Sequence, residues 1–134
     1  MQKQFINPKE LSNPGTYTQI VTAQGGKMIF IAGQVAVDSS GQIVGRGDLR
    51  VQTKQVFENL KTALASVGAT FVDVVKITTY VVNYKPELRQ TMMDVRKDYL
   101  SRENPPASTL VGVQALAGED YLIEVEAIAM VKSG

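Results

Sequence analysis

The sequence has no cysteine, no histidine and no tryptophan. Without cysteine there is no disulfide framework, no thiolate nucleophile and no redox pair. Without histidine, the commonest general base at neutral pH and the commonest transition-metal ligand are missing together. A zinc site of Cys and His is excluded, and so is a Ser-His-Asp triad. An excess of either charge is lacking as well: 14 Lys and Arg stand against 13 Asp and Glu, a formal net charge of +1. That balance predicts no nucleic-acid partner and no attraction to an anionic membrane. No apolar run approaches the length of a membrane span. Residues 1–8 have no hydrophobic region of the secretory kind. The expectation is a soluble protein of the cytoplasm.

What is present is enough for a core. Hydrophobic residues make up 44% of the 134 positions, which predicts one domain over residues 1–134. Residues 17–23 alternate at period two, Gln24-Gly25-Gly26-Lys27 reads as a tight turn, and residues 28–32 form a continuous apolar run. Together they predict an antiparallel hairpin. Gly33-Gln34 ends that run, either as a simple bend or as a place of close approach to the backbone. Residues 35–37 extend the strand, and residues 42–44 form a short third one. Asp48 is a good N-cap, and Leu49, Val56, Leu60, Ala63, Leu64 and Val67 recur at helical spacing up to Gly68, a natural C-terminal stop. Residues 74–82 are β-branched and unbroken, a central strand. Pro86 opens a second helix carrying Leu88, Met92, Val95 and Tyr99, fading near Ser101 before Asn104-Pro105-Pro106. Two closing strands, 105–113 and 121–129, flank Ala117-Gly118-Glu119-Asp120.

The order β-β-(β)-α-β-α-β-β predicts an α+β mixed sheet with two helices. Two helices cover only one face of such a sheet. Residues 28–32 and 74–82 offer apolar or β-branched side chains to both faces. The uncovered face therefore predicts a closed homo-oligomer, with sites in clefts between copies. The alternative is a monomer with a wet face of Lys76, Thr78 and Tyr80.

The closing strand places Glu124 and Glu126 on one face of an otherwise apolar segment. Burying a carboxylate is costly unless it is paired, so these are candidates for chemistry. The alternative is two solvated carboxylates. Ser108 and Thr109 are either ligand contacts or strand-initial residues satisfying their own backbone. Arg46, Arg50, Arg89 and Arg96 read as surface charges. Arg46, between two glycines, has the freest backbone and is the candidate to reach a cleft.

Several segments together carry a resemblance. These are Ile29-Phe30-Ile31-Ala32-Gly33-Gln34, the helix over 51–68, Val74-Val75-Lys76-Ile77-Thr78-Thr79-Tyr80-Val81, Pro106-Ala107-Ser108-Thr109, and Ile123-Glu124-Val125-Glu126-Ala127-Ile128-Ala129. In this order and spacing the chain resembles the Rid family, also called YjgF/YER057c/UK114, over nearly its whole length. The resemblance implies a chorismate mutase-like (bacillus-type) fold assembled as a homotrimer, binding a small metabolite in inter-subunit clefts. It implies hydrolysis of reactive enamines and imines to a carbonyl compound and ammonia, with no metal or organic cofactor. It implies that Glu124 positions the attacking water, that Leu110 helps hold that water through its backbone, and that Tyr17 lines the cleft. The Gly33 N–H would meet the ligand carboxylate.

One position departs from the family pattern. The deaminases carry an arginine after Pro-Ala, where this chain has Ser108. A guanidinium binds a carboxylate bidentately, so the loss puts the usual 2-iminopropanoate activity in question. Serine hydroxyls and backbone donors would suit a neutral ligand. A non-enzymatic small-molecule-binding trimer is the alternative. An endoribonuclease or translation-inhibitor role, a label the family has carried, is more remote, since the chain lacks a basic stripe and histidine.

Overall fold

The computed structural model describes residues 1–133. Its elements in chain order are β1 (Gln2–Ile6), β2 (Ile20–Gln24), β3 (Gly26–Gln34), α1 (Leu49–Ser66), a single 3-10 turn (Phe71–Asp73), β4 (Val74–Val82), α2 (Pro86–Arg96), β5 (Ala107–Val113) and β6 (Ile123–Lys132). Four strands form a mixed sheet in the order β3-β6-β4-β5, and β1 and β2 form a separate two-stranded sheet.

Helix α1 follows from its sequence signals. The Asp48 carboxylate accepts from the Val51 N–H at 3.1 Å, which satisfies one of the free donors of the first turn. At the other end Gly68 takes φ +75°. The Gly68 and Ala69 N–H groups then bond the Ala65 and Leu64 carbonyls, the Schellman arrangement that glycine makes accessible. Between these ends Val56, Phe57, Leu60 and Leu64 are buried. They meet one face of the sheet, where Val74, Ile77 and Val81 of β4 and Ile123, Val125, Ala127 and Ala129 of β6 are also buried. Helix α2 adds Met92 and Val95 to the same side.

Buried polar groups on this side are satisfied. Gln52 is fully buried. Its amide nitrogen donates to the Gly45 and Asp120 carbonyls (3.1 and 2.9 Å), and its oxygen accepts from the Leu122 N–H at 2.9 Å. One side chain thus ties the loop before α1 to the loop before β6. An aromatic cluster closes the far end, with Phe57 stacked on Tyr99 at 5.1 Å and Phe71 edge-on to Tyr99 at 5.5 Å.

Two expectations are corrected. The hairpin predicted between residues 17–23 and 28–32 does not form. Strand β2 pairs antiparallel with β1, and β3 pairs with β6. The glycines turn the chain without reversing it. Gly25 takes φ +75°, while a Cβ on Gly26 would lie 2.5 Å from the Val131 carbonyl of β6. Backbone contact with β6 therefore captures β3. Residues 35–37 form no strand, only an isolated bridge of Val37 to Ile43. Strand β5 runs parallel to β4, as its crossover through α2 requires, and β6 lies on β4's other side.

Replacing Gln52 by Leu strands two carbonyls and one N–H in the interior. At about 1–3 kcal/mol for a buried unsatisfied group, Gln52→Leu is expected to lower unfolding free energy by at least about 2 kcal/mol, read from urea denaturation midpoints. A second expectation concerns pH. The Tyr99 hydroxyl donates to Glu58 at 2.7 Å. Burial first, and the Glu58 bond second, push its phenol from 10.0 up to about 12. The folded state then holds a proton that the unfolded chain releases, so this contribution is complete below pH 10.0 and is lost as pH rises through about 12. Tyr99→Phe is expected to flatten the alkaline fall in stability, measured by denaturation across that range.

Candidate functional site

Helices α1 and α2 cover one face of the four-stranded sheet, and the other face is open. Strand β6 alternates between them: Ile123, Val125 and Ala127 go to the core, and Glu124 and Glu126 to the open face. Tyr80 lies across from Glu124, and Thr78 across from Glu126. The Tyr80 hydroxyl donates to Glu126 at 2.6 Å. That bond first, then loss of hydration and the charges of Glu126 and Glu124, raise the phenol above its ordinary value.

Glu124 is held differently. A Cβ on Gly33 would lie 2.1 Å from Glu124 Oε2 and 2.7 Å from its carboxyl carbon. The carboxylate thus lies directly over the backbone of Gly33, where only a hydrogen leaves room. A register slip between Ile31 and Gln34 in the β3–β6 pairing brings Gly33 to this place.

Strand β5 divides the remaining residues between the two faces. Thr109 is on the open face, where its hydroxyl accepts from Lys76 Nζ at 2.7 Å. Ser108 pairs across from the buried Ile77, and Leu110 packs against the core, so both face the helices. Ser108 Oγ accepts from Arg96 Nη1 at 3.4 Å, and Arg96 Nη2 donates to the Thr16 carbonyl at 3.3 Å. Tyr17 sits in the same loop as Thr16, half-buried. The next residue anchors it: Thr18 donates to the Pro105 and Pro106 carbonyls through its hydroxyl (2.5 Å) and its N–H (3.2 Å). Arg46 donates to Asp120 on the surface.

The chain by itself therefore gathers Glu124 and Gly33 on the open face, and Ser108 with the Tyr17 loop at the opposite face of the sheet. Arg46 is engaged elsewhere. Among the described residues no cluster of three or more His, Cys, Asp or Glu is arranged to hold a metal ion.

The residue that sequence reasoning missed is Arg96. Read as a surface charge, it is only 7% exposed. Burial first, and the neighbouring Arg89 second, push its guanidinium down to about 10. A signal existed, since Arg96 continues the Leu88–Met92 spacing by another four residues and falls on the buried stripe of α2.

A family model described as Endoribonuclease L-PSP matches residues 8–131. The chain belongs to this family, the Rid family. A RutC family protein of Pyrococcus abyssi is 40% identical over 131 residues, covering 96% of this chain and 98% of that protein. The Rid family protein YyfB of Yersinia pestis, of unknown function, superposes with a TM-score of 0.90 at 39% identity, covering 98% of this chain and 100% of that one. A 2-iminobutanoate/2-iminopropanoate deaminase of Dermatophagoides farinae is 29% identical over 118 residues, covering 88% of each. Two helices on a mixed sheet is thus the Rid fold, as the sequence pattern predicts.

The contact between Gly33 and Glu124 can be probed directly. The atoms a new Cβ would meet are Oε2, the carboxyl carbon and Cγ of Glu124, all in one flexible side chain and none in the backbone. Gly33→Ala is therefore expected to leave unfolding free energy within about 1 kcal/mol while turning the Glu124 carboxylate off the backbone. Calorimetry and a crystal structure of the variant check the two halves.

Proposed function

We propose that this Rid protein assembles with copies of itself, as the homotrimer the resemblance implies, and hydrolyses a reactive imine or enamine in clefts between subunits. The observation that carries the reading is the Glu124 carboxylate held over the backbone of Gly33. A carboxylate fixed beside an unobstructed stretch of backbone can orient a water against a ligand lying on that backbone.

The chemistry needs little else. Water adds to the C=N carbon, Glu124 guiding the oxygen and accepting a proton from it. A tetrahedral carbinolamine results. Glu124 returns that proton to nitrogen, then carries the hydroxyl proton to nitrogen as the C–N bond breaks, and a carbonyl compound and ammonia leave. An enamine first takes a proton at carbon to become the imine. Leu110 lies in β5, an edge strand whose outer backbone groups have no partner in the sheet, which supports the water-holding backbone role the resemblance gives it.

Assembly is supported by the open face. Phe30 is 71% exposed and Met28 52%, and a shallow cavity of about 530 Å³ there is lined by Phe30, Ile128 and Ala32 beside Lys76, Thr78 and Glu126. An apolar patch on a sheet with helices on one side favours burial against another surface. Assembly also supplies what one chain does not, since Ser108 and Glu124 lie on opposite faces and meet only if two copies contribute.

Binding without turnover is a second reading, favoured by Ser108 in the place of the family arginine. An endoribonuclease reading is not adopted, because the chain has no histidine and a net charge of +1. Ammonia release from imines generated by an amino acid oxidase decides between the first two. The wild type is expected to accelerate release over buffer, and Glu124→Gln to lower the rate by roughly a hundredfold or more. No acceleration with any imine, together with thermal stabilisation by small carbonyl compounds, would leave the binding reading alone. Sedimentation is expected to give a trimer that Phe30→Asp dissociates, and a monomeric wild type would overturn the cleft.

A further inference from the structure

The open face of the sheet carries charges of both signs without pairing them. It presents Lys76 on β4, and Glu124 and Glu126 on β6. The other charged residues of these four strands, Lys27 and Lys132, sit at the far end of the β3–β6 pairing, across from Val131 and Gly26. Among the described residues the ion pairs are Arg46 with Asp120 and Arg50 with Asp94. Lys76 donates instead to the neutral Thr109 hydroxyl at 2.7 Å, and Glu126 accepts from the neutral Tyr80 phenol at 2.6 Å. The ammonium thus leans toward β5 and away from β6, although Lys76 and Glu126 line one cavity of about 530 Å³.

These charges stand inside an apolar frame. Phe30 and Met28 of β3 are exposed on one side, and Val111 of β5, across from Tyr80 and Glu124, on the other. Charges at the rim of an interface stay in water, but central ones lose their hydration once the face is covered. An unpaired ammonium or carboxylate there is costly. Whatever covers this face must therefore bring a carboxylate to Lys76 and a cation to Glu126. A second copy of the same face carries both, the cation leaning toward β5 and the carboxylates standing on β6 beside β3. That layout suits head-to-tail contact, which closes into a ring.

We propose that Lys76 of one copy pairs with Glu126 of the next at the centre of the covered face. The pair deepens the assembly proposed above, on which it rests, and stands apart from the imine chemistry. Glu126 is the acceptor because it lines the cavity with Lys76, whereas Glu124 lies over Gly33. Tyr80 and Thr109 then have definite parts. The Tyr80 hydroxyl occupies Oε1 of Glu126 and leaves Oε2 to the incoming ammonium. The Thr109 hydroxyl fixes Lys76 Nζ through one of its three N–H donors, and the rest stay free for the carboxylate. Every copy gives one cation and receives one, so the pairing repeats around a closed ring.

Sedimentation equilibrium of charge-reversed variants tests the pair. Lys76→Glu and Glu126→Lys are each expected to weaken assembly by about a hundredfold or more, since each sets like charges against one another. Mixing the two variants in equal amounts is expected to restore it, because each chain supplies the charge that the other lacks. A pair formed inside one chain would stay mismatched in the mixture. Lys61→Glu, the same reversal on the exposed side of α1, is expected to leave assembly unchanged. Circular dichroism shows whether each variant is folded. Where a reversal is not, Lys76→Gln and Glu126→Gln replace it, and their costs to assembly are expected to fall short of additive by about tenfold or more. Reversals that assemble like the wild type, a mixture that stays dissociated, or neutral substitutions whose costs simply add would each overturn the pair while the wild-type assembly stands. A monomeric wild type overturns the assembly and the pair together.

Discussion

Everything in this fold hangs on the pairing of β6 between β3 and β4. A strand paired on both sides has no freedom to slip, because a one-residue shift would send its whole apolar set to the wrong face. That constraint fixes Ile123, Val125, Ala127 and Ala129 under the helices. It also fixes Glu124 and Glu126 on the open face beside Tyr80 and Thr78. Two carboxylates on an interior strand are tolerated because that face stays open to water, to a hydroxyl and to whatever covers it.

The two edges of the sheet then take different parts. At β3 the register slip after Ile31 brings Gly33 under the Glu124 carboxylate. At β5 the alternation sends Thr109 to Lys76 on the open face and Ser108 to Arg96 on the helix side. One sheet thus presents a carboxylate on one face and a guanidinium at the edge of the other. A single copy keeps them apart, and Phe30 and Met28 are exposed on the face the proposed assembly would use.

Charge burial separates the two arginines that matter most to the reading. Arg46 is in water and pairs with Asp120, an interaction worth little to stability. Arg96 is enclosed, pushed down to about 10 by its burial and by Arg89, and meets only neutral acceptors. Freedom of the backbone around Arg46 suggested reach. Position on the apolar stripe of α2 gave Arg96 the buried place instead.

The sequence by itself determined the two helices, their ends, the central β-branched strand, the one-sided coverage of the sheet and the shared face of Glu124 and Glu126. All of these follow from local chemistry: periodicity, an Asp cap, a glycine stop, a proline start. It determined the exclusions too, since absent histidine and cysteine need no structure to be absent. The tertiary structure alone decided that β2 pairs with β1 and β3 with β6, because strand partners are chosen by contacts distant in sequence. It alone decided that Gly33 is a floor for Glu124, and that Ser108 faces a buried arginine twelve residues before it. Those facts depend on how α2 and β5 lie against one another, a matter of packing between elements and not of the pattern within either.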